Sequence, residues 1–240
     1  IHHGLNPAAD DWAEEVARQC GRLGLSCLIR RVHIPSGGSL EESAREARYR
    51  SLAEITGPGE VLVTAHHGDD QAEMVLLQLL LGSAAAVMVS MRQVSAVPYS
   101  DVEIPLWRPF LSLRRQALEA FARGEGLAWV RDSSNDDQSH RRNYLRHTVI
   151  PVLERQWPQA VSTLAGTAMR MQETDCLLHE LAAQDMRVVN RDGTTLEIPD
   201  LLKLSTPRQH NLLRYWIMSR RFQAPGRKGL QTIINEICLA

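Results

Sequence analysis

The chain has 240 residues, 44 % of them hydrophobic and 23 % charged, with 27 Lys and Arg against 28 Asp and Glu and a net charge of −1. This allows one or two globular domains of roughly 100–200 residues each and excludes a disordered chain. No run approaches the ~18 apolar residues of a membrane span, and Cys20, Cys27, Cys176 and Cys238 form no C-x-x-C pair, which argues against a zinc knuckle or an iron–sulfur site.

Asp10 or Asp11 opens the first predicted helix, with Trp12, Val16, Cys20 and Leu23 on one face and Gly24 at its end. Residues 25–32 read as a strand. Ser39 with Glu42 three positions on is a capping box, so a helix begins there and runs to about Ile55. Gly57-Pro58-Gly59 turns the chain into residues 61–65, a short apolar strand of the buried kind. His66-His67-Gly68-Asp69-Asp70 is the next turn, and a helix follows to about Leu81. Residues 92–101 read as a loop and 102–107 as a strand. Ser112 caps a helix that Gly124 and Gly126 end. A polar loop over 132–137 leads into a basic helical segment interrupted by Pro151. Residues 158–189 form one long helix, 190–199 a turn with a short strand, and the remainder is helical. The helix–strand alternation predicts an α/β fold, a parallel sheet flanked by helices, followed by a mainly helical domain. The expected domains are residues 1–155 and 156–240.

Charge is uneven along the chain. Residues 1–107 carry 8 basic and 14 acidic side chains, residues 108–155 carry 9 and 6, and residues 156–240 carry 10 and 8. Arg208, Arg214, Arg220, Arg221, Arg227 and Lys228 have no acid among them. Local basic patches on a near-neutral protein suit a polyanion held at chosen places, and equally suit ordinary surface arginine.

The densest polar cluster is Thr64–Glu73, at the C-terminal end of a predicted strand, where open α/β sheets bind ligands. Asp70 and Glu73 are three apart on the following helix and share a face, as would suit an ammonium group or Mg2+. His66, His67, Asp69 and Asp70 could instead ligate the metal of a hydrolase, or Asp69 could simply cap the helix. Ser36-Gly37-Gly38 begins like a phosphate-binding loop, but Leu40 and Glu41 follow. An acid there would repel phosphate, so an ordinary glycine turn is the better reading.

Several pieces then fall in one order. They are His2-His3-Gly4-Leu5; Ser39 to Tyr49, close to E-x-x-A-R-x-x-R-Y; Ala65 to Glu73, close to A-H-H-x-D-D-Q-x-E; Arg108-Pro109-Phe110-Leu111, close to R-P-L-L; and Trp129 to Arg146, close to W-x-E-D-x-S-N-x-D-x-x-Y-x-R-N-x-L-R. Each is weak alone. The ordered set, spanning nearly the whole chain, resembles the tRNA(Ile)-lysidine synthetase family of N-type ATP pyrophosphatases.

The resemblance implies that ATP adenylates C2 of the wobble cytidine in an isoleucine tRNA with a CAU anticodon. Free L-lysine then displaces AMP to form lysidine, in the cytoplasm. It assigns Asp70 and Glu73 to lysine; Arg45, with Arg48, His66, His67 and His3, to ATP and its Mg2+; and Arg108, Arg142, Asn143 and Arg146 to tRNA. It also allows a homodimer. Arg131 and Met74 stand where the family has Glu and Thr, and Leu81-Gly82-Ser83-Ala84 replaces R-G-S-G. The family's Ser-Gly-Gly-x-Asp-Ser loop is absent, as in a chain that begins after it, so the 240 residues alone are expected to be inactive. Two other classes stay open from the residues themselves: a tRNA-binding protein without catalysis, and a metal-dependent hydrolase.

Overall fold

The structure, a computed structural model, describes residues 1–34, 40–81, 91–130, 132–190, 194–220 and 222–238, with side chains to 236. The expected glycine turn and Ser39 cap lie outside the described residues, as do Arg131 and the substituted stretch from Gly82. The chain divides into two compact units, Ile1–Asp70 with Arg92–Asp137, and Gln71–Met91 with Gln138–Ala240. In this grouping residues 71–81 and 138–155 fall with the later helices.

In the first unit, α1 (Ala9–Arg22) carries Asp10 and Asp11 in its first turn, where carboxylates meet the positive end of the helix dipole. The chain leaves it through Gly24 at φ +68°, a left-handed conformation that glycine adopts at no steric cost. None of its residues is buried, so its apolar stripe has no cover among the described residues. The strand expected over 25–32 shrinks to one parallel bridge between His2 and Arg31. Leu25, Leu28 and Ile29 are exposed there. Apolar β-branched sequence makes a strand only where a partner supplies the ladder, and here one residue does so.

Tyr49 and Ala53, four apart on α2 (Leu40–Ile55), pack with Leu62, Val97, Ile104 and Leu106. The sheet they cover contains β1 (Leu62–Val63), β2 (Val94–Ala96) and β3 (Pro105–Trp107) in the order β1-β3-β2, with β1 parallel and β2 antiparallel to β3. Residues 61–65 are therefore not a doubly buried strand: Val61 and Val63 are about half exposed and Leu62 points inward. Strand β2 occupies part of the expected loop, carrying an antiparallel hairpin on an otherwise parallel pair. After β1, α3 (Gly68–Leu80) begins in this unit and continues into the second. Helix α4 (Arg115–Gly124) starts three residues beyond Ser112, which does not cap it.

In the second unit, Ala72 and Leu76 of α3 pack with Ile150, Val161 and Leu164. Helix α5 (Arg141–Tyr144) runs through a π-helical turn (Leu145–Val149) into α6 (Ile150–Gln156). Pro151 thus sits in the first turn of α6, where a missing N–H is tolerated, and the helix is not broken there. Helix α7 (Ala160–Val189) is followed by α8 (Ile198–Leu202), α9 (Thr206–Ser219) and α10 (Arg227–Ile233). Val189, Leu201, Leu212, Leu213, Leu230 and Ile234 form their common core. Buried Asp185 of α7 pairs with Arg208 of α9. Residues 194–197 form no strand; the Glu197 N–H instead satisfies the Val189 carbonyl at the end of α7, 2.8 Å away.

Leu212 is fully buried at the centre of this core. Leu212→Ala is expected to cost about 2–5 kcal/mol in urea unfolding, whereas Phe222→Ser, at a side chain 71 % exposed, stays within about 0.5 kcal/mol.

Candidate functional site

The turn from β1 into α3 gives each residue of the motif a separate task. Thr64 extends the β1–β3 pairing, its N–H donating to the Trp107 carbonyl at 3.0 Å. Its hydroxyl lies 2.9 Å from His66 Nδ1. His67 precedes the first helical residue. Its N–H donates to Asp70 Oδ2 at 2.9 Å, and the Asp70 N–H donates to His67 Nδ1 at 3.4 Å. This is a capping box with imidazole in the place of a hydroxyl, and it requires Nδ1 to be an acceptor. Gly68 donates its N–H to Leu113 O at 2.7 Å. A Cβ there would stand 3.0 Å from the Leu113 oxygen and 3.3 Å from that of Leu111, so the close approach needs glycine.

Asp69, the cap expected for α3, turns instead to α4. It accepts from Arg114 Nε at 3.2 and 3.3 Å, from Arg114 Nη2 at 3.1 Å, and from the Arg115 N–H at 2.7 Å. Burial works against its charge, but the Arg114 guanidinium and the Arg115 N–H outweigh burial and hold the carboxyl below its ordinary range. The four side chains that a metal hydrolase would need are thus engaged otherwise. Among the described residues, no three His, Cys, Asp or Glu are grouped to hold a metal ion, which removes the observation behind that reading.

The same unit also holds a cationic neighbourhood. The Arg48 and Arg45 guanidiniums stand 5.3 and 5.8 Å from the ring centre of buried Tyr49, within cation–π range. Arg45 Nε and His3 Nδ1 are both buried without a hydrogen-bond partner. Burial, followed by the charge of Arg48, pushes His3 below the usual imidazole range. Unmet donors among guanidiniums are what an incoming phosphate would satisfy, so these residues fit the ATP phosphates. No described carboxylate cluster accompanies them to ligate Mg2+.

Arg108, which the resemblance assigns to tRNA, lies inside the first unit. Arg108 is 5 % exposed, and its Nη1 donates to the Arg92 carbonyl at 2.8 Å and to Ser95 Oγ at 3.0 Å. Burial lowers its pKa, with Tyr49 as a further hydrogen-bond partner. It braces the β2–β3 hairpin, and its Nε is buried without a hydrogen-bond partner.

In the second unit, Glu73 is fully buried. Arg146 Nε donates to its Oε1 at 2.6 Å and Nη2 to its Oε2 at 3.1 Å, while Arg142 Nη2 is 3.4 Å from Oε2. Arg142 and Arg146, four apart, share the helical face toward Glu73, with Asn143 buried nearby in sequence. Glu73 is therefore not an open ammonium site, nor are Arg142 and Arg146 unengaged surface cations. Sequence reasoning missed Arg114; its only signal was a pair of arginines just ahead of a helix.

A family model for the PP-loop domain matches residues 1–153, and one for the TilS substrate binding domain matches residues 196–240. The chain is 41 % identical over 242 residues to the tRNA(Ile)-lysidine synthase of Alkalilimnicola ehrlichii, covering 100 % of the chain and 53 % of that protein. It is 42 % identical over 233 residues to that of Pseudomonas aeruginosa, covering 90 % and 50 %. The corresponding figures for Coxiella burnetii are 38 % over 242 residues, 100 % and 53 %. The chain spans about half the length of these curated relatives.

A carboxyl whose pKa is depressed on folding contributes stability above its unfolded pKa of ~3.9 and loses it as pH falls through the folded value. The stability margin of the wild type over Asp69→Asn is therefore expected to be full at neutral pH and to close below about pH 4. Urea titrations of both proteins at several pH values check this.

Proposed function

The chain belongs to the tRNA(Ile)-lysidine synthase family of PP-loop proteins, and from that premise we propose that it carries the lysine- and phosphate-handling residues of a lysidine-forming ligase. In this reading ATP activates C2 of the wobble cytidine in isoleucine tRNA with a CAU anticodon, releasing pyrophosphate. The ε-amine of free lysine then bonds to C2, AMP leaves with the C2 oxygen, and the amine's surplus protons pass to solvent. ATP and tRNA place the reaction in the cytoplasm.

The observation that carries the reading is the buried Arg45 Nε–H, which has no hydrogen-bond partner, on the same helix as Arg48 and in the unit that also holds His3 and Asp70. We assign the phosphates to Arg45 and Arg48, whose positive charge would stabilise the charge that develops during adenylation, with His3 as a hydrogen-bonding neighbour. His66 and His67 orient the turn beneath the nucleotide. Mg2+ would accompany the phosphates.

Asp70 takes an ammonium group of lysine. Glu73 accepts one only by releasing Arg146 or Arg142, which frees a guanidinium for an anion: the amino acid's carboxylate or a tRNA phosphate. Arg142 and Arg146 enter tRNA binding through that exchange, with Asn143 beside them on the helix. The basic residues of α9 and α10 add salt-dependent contacts to the tRNA body.

Calorimetric titration of lysine tests the assignment. Asp70→Asn is expected to weaken lysine binding by at least about tenfold, or ~1.4 kcal/mol, while a CAU-anticodon tRNA transcript binds as to the wild type. Unchanged lysine affinity would remove Asp70 from the site.

A further inference from the structure

We infer that Arg114 and Asp69 are a positioning pair for Asp70, setting where that carboxylate meets lysine without touching the substrate; this rests on the lysine reading above. Residues 68 and 69, immediately before Asp70, are fixed from two sides. Gly68 is held by its 2.7 Å bond to the Leu113 carbonyl, at an approach where a Cβ would stand 3.0 Å from that oxygen. Asp69 receives the planar fork of Arg114 and the N–H of Arg115, the first residue of the ten-residue helix α4. The first turn of a helix is its least secured part, since its N–H groups have no partners within the helix. Here that turn is secured by segment 111–115. The Asp70 carboxylate is in turn tied to the His67 N–H, on the other side of the same two residues. Its direction therefore follows from the seating of residues 67–69.

Charge and position make opposite predictions, which is what renders the inference testable. Arg114 is a cation in the unit that receives the lysine cation, so removing it would tighten lysine binding if only charge mattered. If the fork seats Asp70, removing it loosens lysine binding despite the favourable change in charge. Lysine at position 114 keeps the charge but loses the two-pronged geometry. It should weaken lysine binding less than alanine does, yet measurably.

The experiment is titration of L-lysine into the wild type, Arg114→Ala, Arg114→Lys and Asp70→Asn, with thermal melting and tRNA-transcript affinity recorded for each. Arg114→Ala is expected to raise the lysine Kd by at least about tenfold, and Arg114→Lys by an intermediate factor, with tRNA affinity within about twofold of wild type. If Arg114→Ala does not fold, Arg114→Lys carries the comparison alone. Lysine binding that is unchanged or tighter in the Arg114 variants overturns the inference, as does a parallel loss of lysine and tRNA affinity. If Asp70→Asn weakens lysine binding while the Arg114 variants do not, only the positioning pair fails. If Asp70→Asn has no effect, the lysine reading fails and the inference with it.

Discussion

The carboxylate of Asp69 ties the first unit together. It lies in the first turn of one helix and closes the N-terminus of another, and Arg114 neutralises it with both faces of its fork. A carboxylate at a helix N-terminus meets aligned N–H groups and the positive end of the dipole, and a bidentate guanidinium adds direction as well as energy. The rest of the turn follows from this placement. With Asp69 committed to α4, the cap of α3 falls to His67 and Asp70. With segment 111–115 drawn against α3, a Cβ at position 68 would crowd the Leu113 and Leu111 carbonyls. Four neighbouring residues thus meet four different constraints, and none can exchange tasks with the next.

The parts of the fold that local periodicity decides were legible in the sequence. The α3 stretch, the long helix α7 and the helical C-terminal portion depend on patterns within one segment, and they stand where those patterns put them. What was not legible depends on distant partners. The 25–32 strand has the right residues but one bridging partner, so no ladder forms. Strand β2 has only three residues, Val94-Ser95-Ala96, and exists because β3 lies beside it. Ser112 is a good cap by composition, yet the helix it was expected to cap starts later and is closed by an aspartate 46 residues earlier in the chain. Capping signals are read locally because most caps are local; a cap supplied across the fold leaves no trace near the helix it serves.

Site residues divide on the same line. The cluster around Asp70 was visible as a dense polar run after a short strand, and the family's motif order pointed to it. The uses of its members were not visible, because they turn on which neighbour each carboxylate meets. Counting arginines was least informative of all. Arg108 looks like a surface cation in sequence but braces a hairpin from inside. Arg45 and Arg48 sit on a helix rich in glutamate, a setting that suggests surface pairs, yet Arg45 keeps a buried N–H unmet.

Glu73 shows why burial changes the meaning of a charge. In water its pairing with Arg146 and Arg142 would be nearly neutral in energy, since solvent screens the attraction and holding long side chains still costs entropy. Fully buried, the carboxylate has lost its water and depends on those guanidiniums to offset that loss. An ammonium group would meet this carboxylate only where a guanidinium withdraws. A lysine cation gains nothing by approaching Glu73 unless a guanidinium leaves at the same time, and a guanidinium leaves at little cost only toward another anion. Occupation of Glu73 by a cation and engagement of Arg142 or Arg146 by a phosphate or carboxylate are therefore two halves of one exchange. Under the proposed function, binding of the amino acid and binding of an anion would therefore support each other.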